Sequence, residues 1–370
     1  MPIDPDLPGR LALTLFRLAS GAEGALIQRI AGALAKGIGS PDWAVRQLAN
    51  VVRLRAGWEA TLGSFFEEMQ RGAYGAVIDA GQIGRDAALV DLRGLARREA
   101  ARSTLPGARA LVGLAEELAG VVVSTRYGVL RSAEDVFRSV VAQVSAQTIL
   151  GANTRRMVAQ QALDRLVGRG LTGFVDVSGR RWQLASYVEM ASRTVAQRAM
   201  VQGHSEVLRE AGHDLVIVSN APQECKLCRP WENKILSLSG DSVGQIQVPS
   251  AVDPARLVTV EVAGSLVRAR AAGLYHPNCR HSHSLYLPGV TRPAPGRAPD
   301  PEGDLARQHL RALERRVRRA KMLEAAAFDD AARTRARIHV RAIQAQIRAH
   351  VDATPGLLRQ PARERIGVAR

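Results

Sequence analysis

Cys225-Lys226-Leu227-Cys228 and, 47 residues further on, the run from Tyr275 to His283 (YHPNCRHSH) hold all three cysteines of a 370-residue chain and three of its eight histidines. Two cysteines separated by two residues place both thiolates on one side of a tight turn, at the spacing tetrahedral zinc requires. His276-Pro277-Asn278-Cys279 repeats the two-residue gap. The first candidate ligand set is therefore Cys225, Cys228, His276 and Cys279, and the second exchanges His276 for His281. A closed four-ligand site is structural, and in a unit with a thin core such a Zn²⁺ supplies much of the folding free energy. Buried free thiols with unrelated surface histidines would leave the absence of cysteine elsewhere without a reason. Glu224, Arg229, Trp231 and Glu232 flank the first pair and are expected to orient it by hydrogen bonds and packing.

The same residues admit a second chemistry. Histidine-rich strings containing asparagine, next to Cys-x-x-Cys pairs, also occur in HNH-type zinc-containing nucleases, where one histidine activates water and another group holds a catalytic metal. His276, His281 and His283 would be the centre of such a site. The paired His-His or Asp-His strand is missing, and no second acidic metal ligand lies nearby, so the structural reading comes first. His204, His213, His309, His339 and His350 are isolated and receive no role.

These clusters need elements to hold them. Residues 8–36 read as an amphipathic helix weakened by Gly21 and Gly24, and Ser40-Pro41-Asp42 reads as a helix start, with proline at the first helical position. A long helical pattern follows, broken at Thr104-Leu105-Pro106-Gly107, and another runs to a break at Gly151. Near residue 167 the texture changes. Phe174 to Val177 alternate and Ser178-Gly179 supplies a turn. A helix from about Leu184 to Ala211 ends at Gly212. Asp214 to Ser219 reads as a buried strand, Ile235 to Ser239 as a second, Ala263 to Ala272, after an irregular loop, as a short helix, and His281 to Leu287 as a closing strand. A linker rich in Pro, Gly and Arg leads to two charged helical patterns, 304–325 and 328–352, which lack the apolar stripe of a free-standing domain and are expected to lie on something else. The fold class is thus mainly α with a small α+β zinc-knuckle domain. The expected divisions are an N-terminal helical region (1–165), the α+β domain (166–290), a linker (291–302) and a basic helical tail (303–370).

The hydrophobic content of 46% supports a real core, and 4% aromatic residues with abundant Ala, Leu, Val and Arg suit helices more than sheets. Three cysteines make no disulfide framework, which points to a reducing compartment. The N-terminus lacks the basic start and apolar run of a signal peptide, and the longest uncharged stretch, Ser139 to Thr154, is interrupted by Gln, Ser and Asn, so a soluble protein with no membrane partner is expected. The net charge is +16, of which residues 303–370 hold +9. Arg311, Arg315, Arg318 and Arg319 are spaced to share one helix face, a candidate surface for the phosphates of double-stranded DNA or for an acidic protein.

The runs DLVIVSNAPQECKLCRPWENKILSLSG and GLYHPNCRHSHSLYLPG, with TGFVDVSGRRWQLASYVEMASRT before them and the basic helix RQHLRALERRVRRAKM after, resemble the minor capsid proteins of tailed phages related to the Mu F-type head morphogenesis proteins. The resemblance covers roughly residues 165–350. It implies a non-enzymatic virion protein, associated with the portal vertex inside the head and made in the host cytoplasm. Its partners would be the portal protein, other head proteins and the DNA being packaged. Relatives often bear a histidine or cysteine at the place of His281, which keeps that residue open as a ligand.

Overall fold

The computed structural model describes residues 3–93, 108–149, 155–169, 174–176, 179–296 and 298–367. Helices dominate: α1 (Leu7–Leu11), α2 (Leu13–Ala35), α3 (Trp43–Ala49), α4 (Val51–Asp91), α5 (Ala108–Ile149) and α6 (Arg155–Arg169) precede a two-stranded antiparallel hairpin of β1 (Phe174–Val175) and β2 (Arg181–Trp182), and α7 (Leu184–Glu210) follows. The breaks expected at residues 104–107 and 151 lie outside the described residues. A helix does start at Ser40-Pro41-Asp42, with Asp42 at the N-cap of α3, but Pro41 is not its first helical residue and the expected side-chain cap is not made. The Ser40 hydroxyl turns to the Asp42 carboxylate, which also pairs with Arg46, so neither side chain caps an amide and Trp43 opens α3. The chain forms two compact units, each drawn from three separated stretches.

The first unit comprises residues 1–12, 73–118 and 190–305 and contains a mixed five-stranded sheet in the order β5-β6-β4-β3-β7. Its strands are β3 (Leu215–Val218), β4 (Ile235–Ser237), β5 (Gly244–Pro249), β6 (Leu257–Ser265) and β7 (His283–Leu285), with β4 and β6 parallel and the other pairs antiparallel. The strands expected at 214–219, 235–239 and 281–287 are present, but the irregular loop expected before Ala263 is a β-hairpin. Ile246 and Val248 alternate with glutamines and pair with Val260 and Val258, and their apolar faces join Leu215 and Val262. β6 ends at Ser265, whose hydroxyl accepts the Arg268 N–H at 3.1 Å and so caps α8 (Leu266–Ala271). Leu208, Val216, Val218, Leu236 and Leu285 form the main core, into which Cys228 and Cys279 also project.

The second unit comprises residues 13–72, 119–189 and 306–370. Trp58 meets Phe137 edge to face at 5.6 Å. Contrary to the sequence expectation, the tail helices α9 (Pro301–Ala325) and α10 (Asp330–Asp352) do carry apolar stripes and cover one another. Leu310, Leu313 and Val317 pack with Val340, Ile343 and Ile347. The stripes were hidden by arginines interleaved at three- and four-residue spacing, one of which, Arg318, is itself buried.

Candidate metal centre

Two loops build the site, each closed by a local turn. After β3, the Cys228 and Arg229 N–H groups both donate to the Cys225 carbonyl, at 3.2 and 3.1 Å, wrapping the first pair of cysteines into a knuckle. After α8, Cys279 N–H donates to His276 carbonyl at 2.9 Å and makes the second turn. Among the described residues, the four non-glycine positions with left-handed backbone are Gln223, Asn233, Tyr275 and Asn278. Each lies within a few residues of a candidate ligand. Such a conformation costs about 1–3 kcal/mol per residue and clusters where a loop must aim its groups. For a bulky residue such as Tyr275 the cost is least easily avoided.

The five residues Cys225, Cys228, His276, Cys279 and His281 lie close together and could hold a metal. They form two overlapping trios, Cys225-Cys228-His276 and Cys228-Cys279-His281, and within each the ligand atoms lie within 4.8 Å of one another. Cys225 Sγ is 2.9 Å from His276 Nε2, Cys228 Sγ is 3.4 Å from Cys279 Sγ, and Cys279 Sγ is 3.5 Å from His281 Nδ1. A tetrahedral zinc site with sulfur and nitrogen ligands has edges of about 3.5–3.8 Å, so a small outward adjustment admits an ion. The donors are soft sulfur and imidazole, which suits zinc and does not suit magnesium or calcium.

Outer partners orient both histidines. His276 Nδ1–H donates to the Pro277 carbonyl at 2.7 Å, leaving the Nε2 lone pair toward Cys225. His281 Nε2–H donates to Glu232 at 2.8 Å, which aims Nδ1 at Cys279, while the same carboxylate oxygen accepts the Ala221 N–H at 2.9 Å. A carboxylate behind a histidine is the usual arrangement that fixes a metal ligand's tautomer. Glu224 pairs with Arg229 at 2.8 Å and Trp231 packs on the core, so the flanking residues orient the knuckle as their types suggested. The Cys279 thiol is held down to about 4, chiefly by the hydrogen bond from Cys228 and, against its burial, by His281. Cys228 is pushed up by the same contact. Cys279 is therefore poised as a thiolate, and a bound cation would favour deprotonation of Cys228 beside it.

His283 is placed differently. It is fully buried, with Nδ1 2.9 Å from the Tyr275 hydroxyl and Nε2 3.1 Å from the Ser205 hydroxyl. Burial, with the nearby His204, Arg270 and Arg209, keeps it well below the ordinary histidine range and hence neutral. His204 lies edge-on to it at 5.0 Å and reaches Asp91, whose carboxylate also accepts the Leu285 N–H at 3.0 Å. This network joins α4, α7 and β7, and it is not legible from spacing, because Asp91, His204 and His283 are far apart in the chain and conform to no motif.

The four tail arginines do not share one outward face. Arg318 is 3% exposed, lies over the Phe16 ring at 5.1 Å, and donates to the Arg363 carbonyl and the Ser186 hydroxyl. Arg311 pairs with the buried Glu314 at 2.8 Å, and Arg319 donates to the Gly168 carbonyl at 3.3 Å. Arg315 is exposed. On α10, Arg341 and Arg348 are also exposed and have no hydrogen-bonded partner among the described residues.

No curated protein and no solved structure matches the chain. The family profile of phage minor capsid protein 2 matches residues 8–352, spanning the long helices, the Cys/His loops and the basic helical hairpin alike. The chain therefore belongs to the phage minor capsid protein 2 family and is a protein of the phage virion.

Proposed function

We propose that this protein is a structural, non-enzymatic component of the phage head, seated at the portal vertex, in which a Zn²⁺ held by Cys225, Cys228, Cys279 and His276 ties the two loops together. The observation that carries the structural reading is the family match across residues 8–352. Other head proteins are its partners, and portal contact is the finer part of the proposal, an expectation that follows from the resemblance of the Cys/His region to phage minor capsid proteins. No helix among the described residues is long and apolar enough to cross a membrane.

The zinc supplies cross-linking and no reaction step. Its four protein ligands close the coordination shell, and His281 with Glu232 stands beside it as the alternative ligand. The nuclease reading needs an accessible base. His283 is neutral and enclosed, and His276 and His281 both face sulfur. Mass spectrometry of disrupted virions, combined with chemical cross-linking, tests the proposal. The protein should be present at low copy and cross-link to the portal protein. Its absence from virions, or metal-dependent cleavage of plasmid DNA that His281→Ala abolishes, would overturn it.

A further inference from the structure

The first unit has an open cleft of about 680 Å³ walled by α5, α7 and the loop that follows α8. Its lining includes Arg198 and Arg270, the apolar Leu114 and Leu274, and two glycines, Gly113 and Gly273, and it includes no acidic residue. A Cβ added at Gly113 would meet nothing within 4 Å, so that wall is smooth and open. Arg270 is exposed, has no carboxylate partner among the described residues, and leans over the Tyr275 ring at 5.8 Å. Burial of its stem and the nearby charges of Arg198 and Arg209 lower its pKa, the signature of a cationic group short of counter-charge. Arg198 already holds a carboxylate, that of Glu117 at 3.1 Å, in a pair about half exposed on both sides. Such a pair contributes little and exchanges readily for another carboxylate.

We infer that this cleft binds an acidic, leucine-bearing peptide segment of another head protein, with Arg198 and Arg270 receiving carboxylates and the half-buried Leu114 and exposed Pro277 receiving apolar side chains. The inference rests on the proposed head-assembly role. Planar guanidinium forks match carboxylates in pairs, and a small pocket of mixed character suits a chain presenting both kinds of group. Nucleic acid is disfavoured by the distribution of charge. The first unit holds 19 basic and 19 acidic residues, whereas the second holds 32 and 16. A polyanion is drawn by long-range field to the second unit, and a duplex is a convex rod that a cleft of this size does not admit. What remains for the cleft is a short-range ligand with local charge.

The test uses the full-length protein and a fluorescein-labelled dodecapeptide of alternating Glu and Leu, followed by anisotropy. Saturable binding is expected, weakened at least about tenfold in the double variant Arg198→Gln/Arg270→Gln, and unchanged in Arg341→Gln/Arg348→Gln. Unchanged melting temperatures establish that the variants fold. The double variant Arg198→Glu/Arg270→Glu should instead bind a Lys/Leu peptide of the same length. Absence of saturable binding, equal loss in the α10 variant, or tighter binding of inorganic phosphate or single-stranded oligothymidylate would each overturn the inference. Because binding is measured on purified protein, its failure is separate from failure of the head-protein reading, which is scored by presence in virions.

Discussion

Cys225, Cys228 and Cys279 were legible as candidate ligands because a two-residue gap is a geometric statement about a turn, and turns form locally. The histidine that would complete the set was not, since His276 and His281 each reach a different cysteine and each has its own outer partner. Metal analysis of freshly purified protein should give about one zinc per chain, and Cys225→Ser or Cys279→Ser should abolish it. Comparing His276→Ala with His281→Ala identifies the fourth ligand, which is the one whose loss lowers zinc affinity more. Ligating thiols must be deprotonated, so zinc retention should fall as pH falls, and release at high pH without chelator would contradict the assignment. A second titration is independent of metal. Asp214 resists the upward push of its burial because the Ser239 N–H and the Ser237 hydroxyl both donate to it at 2.7 Å, and its pKa is lowered. A depressed carboxylate contributes stability above its unfolded value, about 3.9, and loses that contribution as pH falls through the folded value. The difference in melting temperature between wild type and Asp214→Asn should therefore be present at neutral pH and vanish in acid.

Elements with a strong period were readable and those held by distant partners were not. α7, α9 and α10 begin and end within a few residues of their expected bounds because charge, propensity and glycine punctuation agree there. The β5–β6 hairpin reads as a loop in sequence although Gln245-Ile246-Gln247-Val248 alternates, because two runs separated by Pro, Ser and Asp resemble a loop until they pair. Gly21 and Gly24 read as weaknesses of α2, yet they make room for another part of the chain. A Cβ on Gly24 would sit 2.2 Å from the Gly367 carbonyl oxygen, and a Cβ on Gly367 would sit 2.5 Å from the Gly21 Cα. Both glycines and Gly367 belong to the second unit. Gly24→Ala should lower stability by about 1–3 kcal/mol through overpacking against backbone. Gly32, in the same helix with nothing within 4 Å of its added Cβ, is the control. Gly32→Ala should stabilise by about 0.5–1 kcal/mol, because alanine is the better helix former. Thermal or urea unfolding of the two variants should move in opposite directions, and equal shifts would mean that the approach of Gly367 to α2 is not retained in solution.

Over the whole molecule the informative quantity is the placement of charge. The net +16 resides in the second unit, with 32 basic and 16 acidic residues, while the first unit is balanced. Sequence segments could not reveal this, because each unit is assembled from three stretches and the excess is spread over all of those forming the second. The same assembly sorts the arginines into two kinds. Arg318 is an interior residue whose pKa is lowered by burial despite the nearby Glu23, Glu189 and Glu314, and breaking such a buried network by removing one partner costs about 3–5 kcal/mol. Arg315, Arg341 and Arg348 are exposed, and Arg341 and Arg348 are seven residues apart on α10, two turns along one face. We propose that packaged DNA meets this face through its phosphates. Each phosphate neutralised steepens the dependence of log affinity on log salt by about 0.9. The variant Arg341→Gln/Arg348→Gln should therefore bind duplex DNA more weakly, with a salt slope shallower by about 2, equally for any sequence, and with an unchanged melting temperature. Arg318→Gln should do the reverse, lowering the melting temperature while the folded fraction keeps the original slope. If the α10 variant leaves affinity and slope untouched, the excess charge of the second unit serves an acidic protein surface instead, and binding to head proteins should then carry the salt dependence that DNA binding lacks.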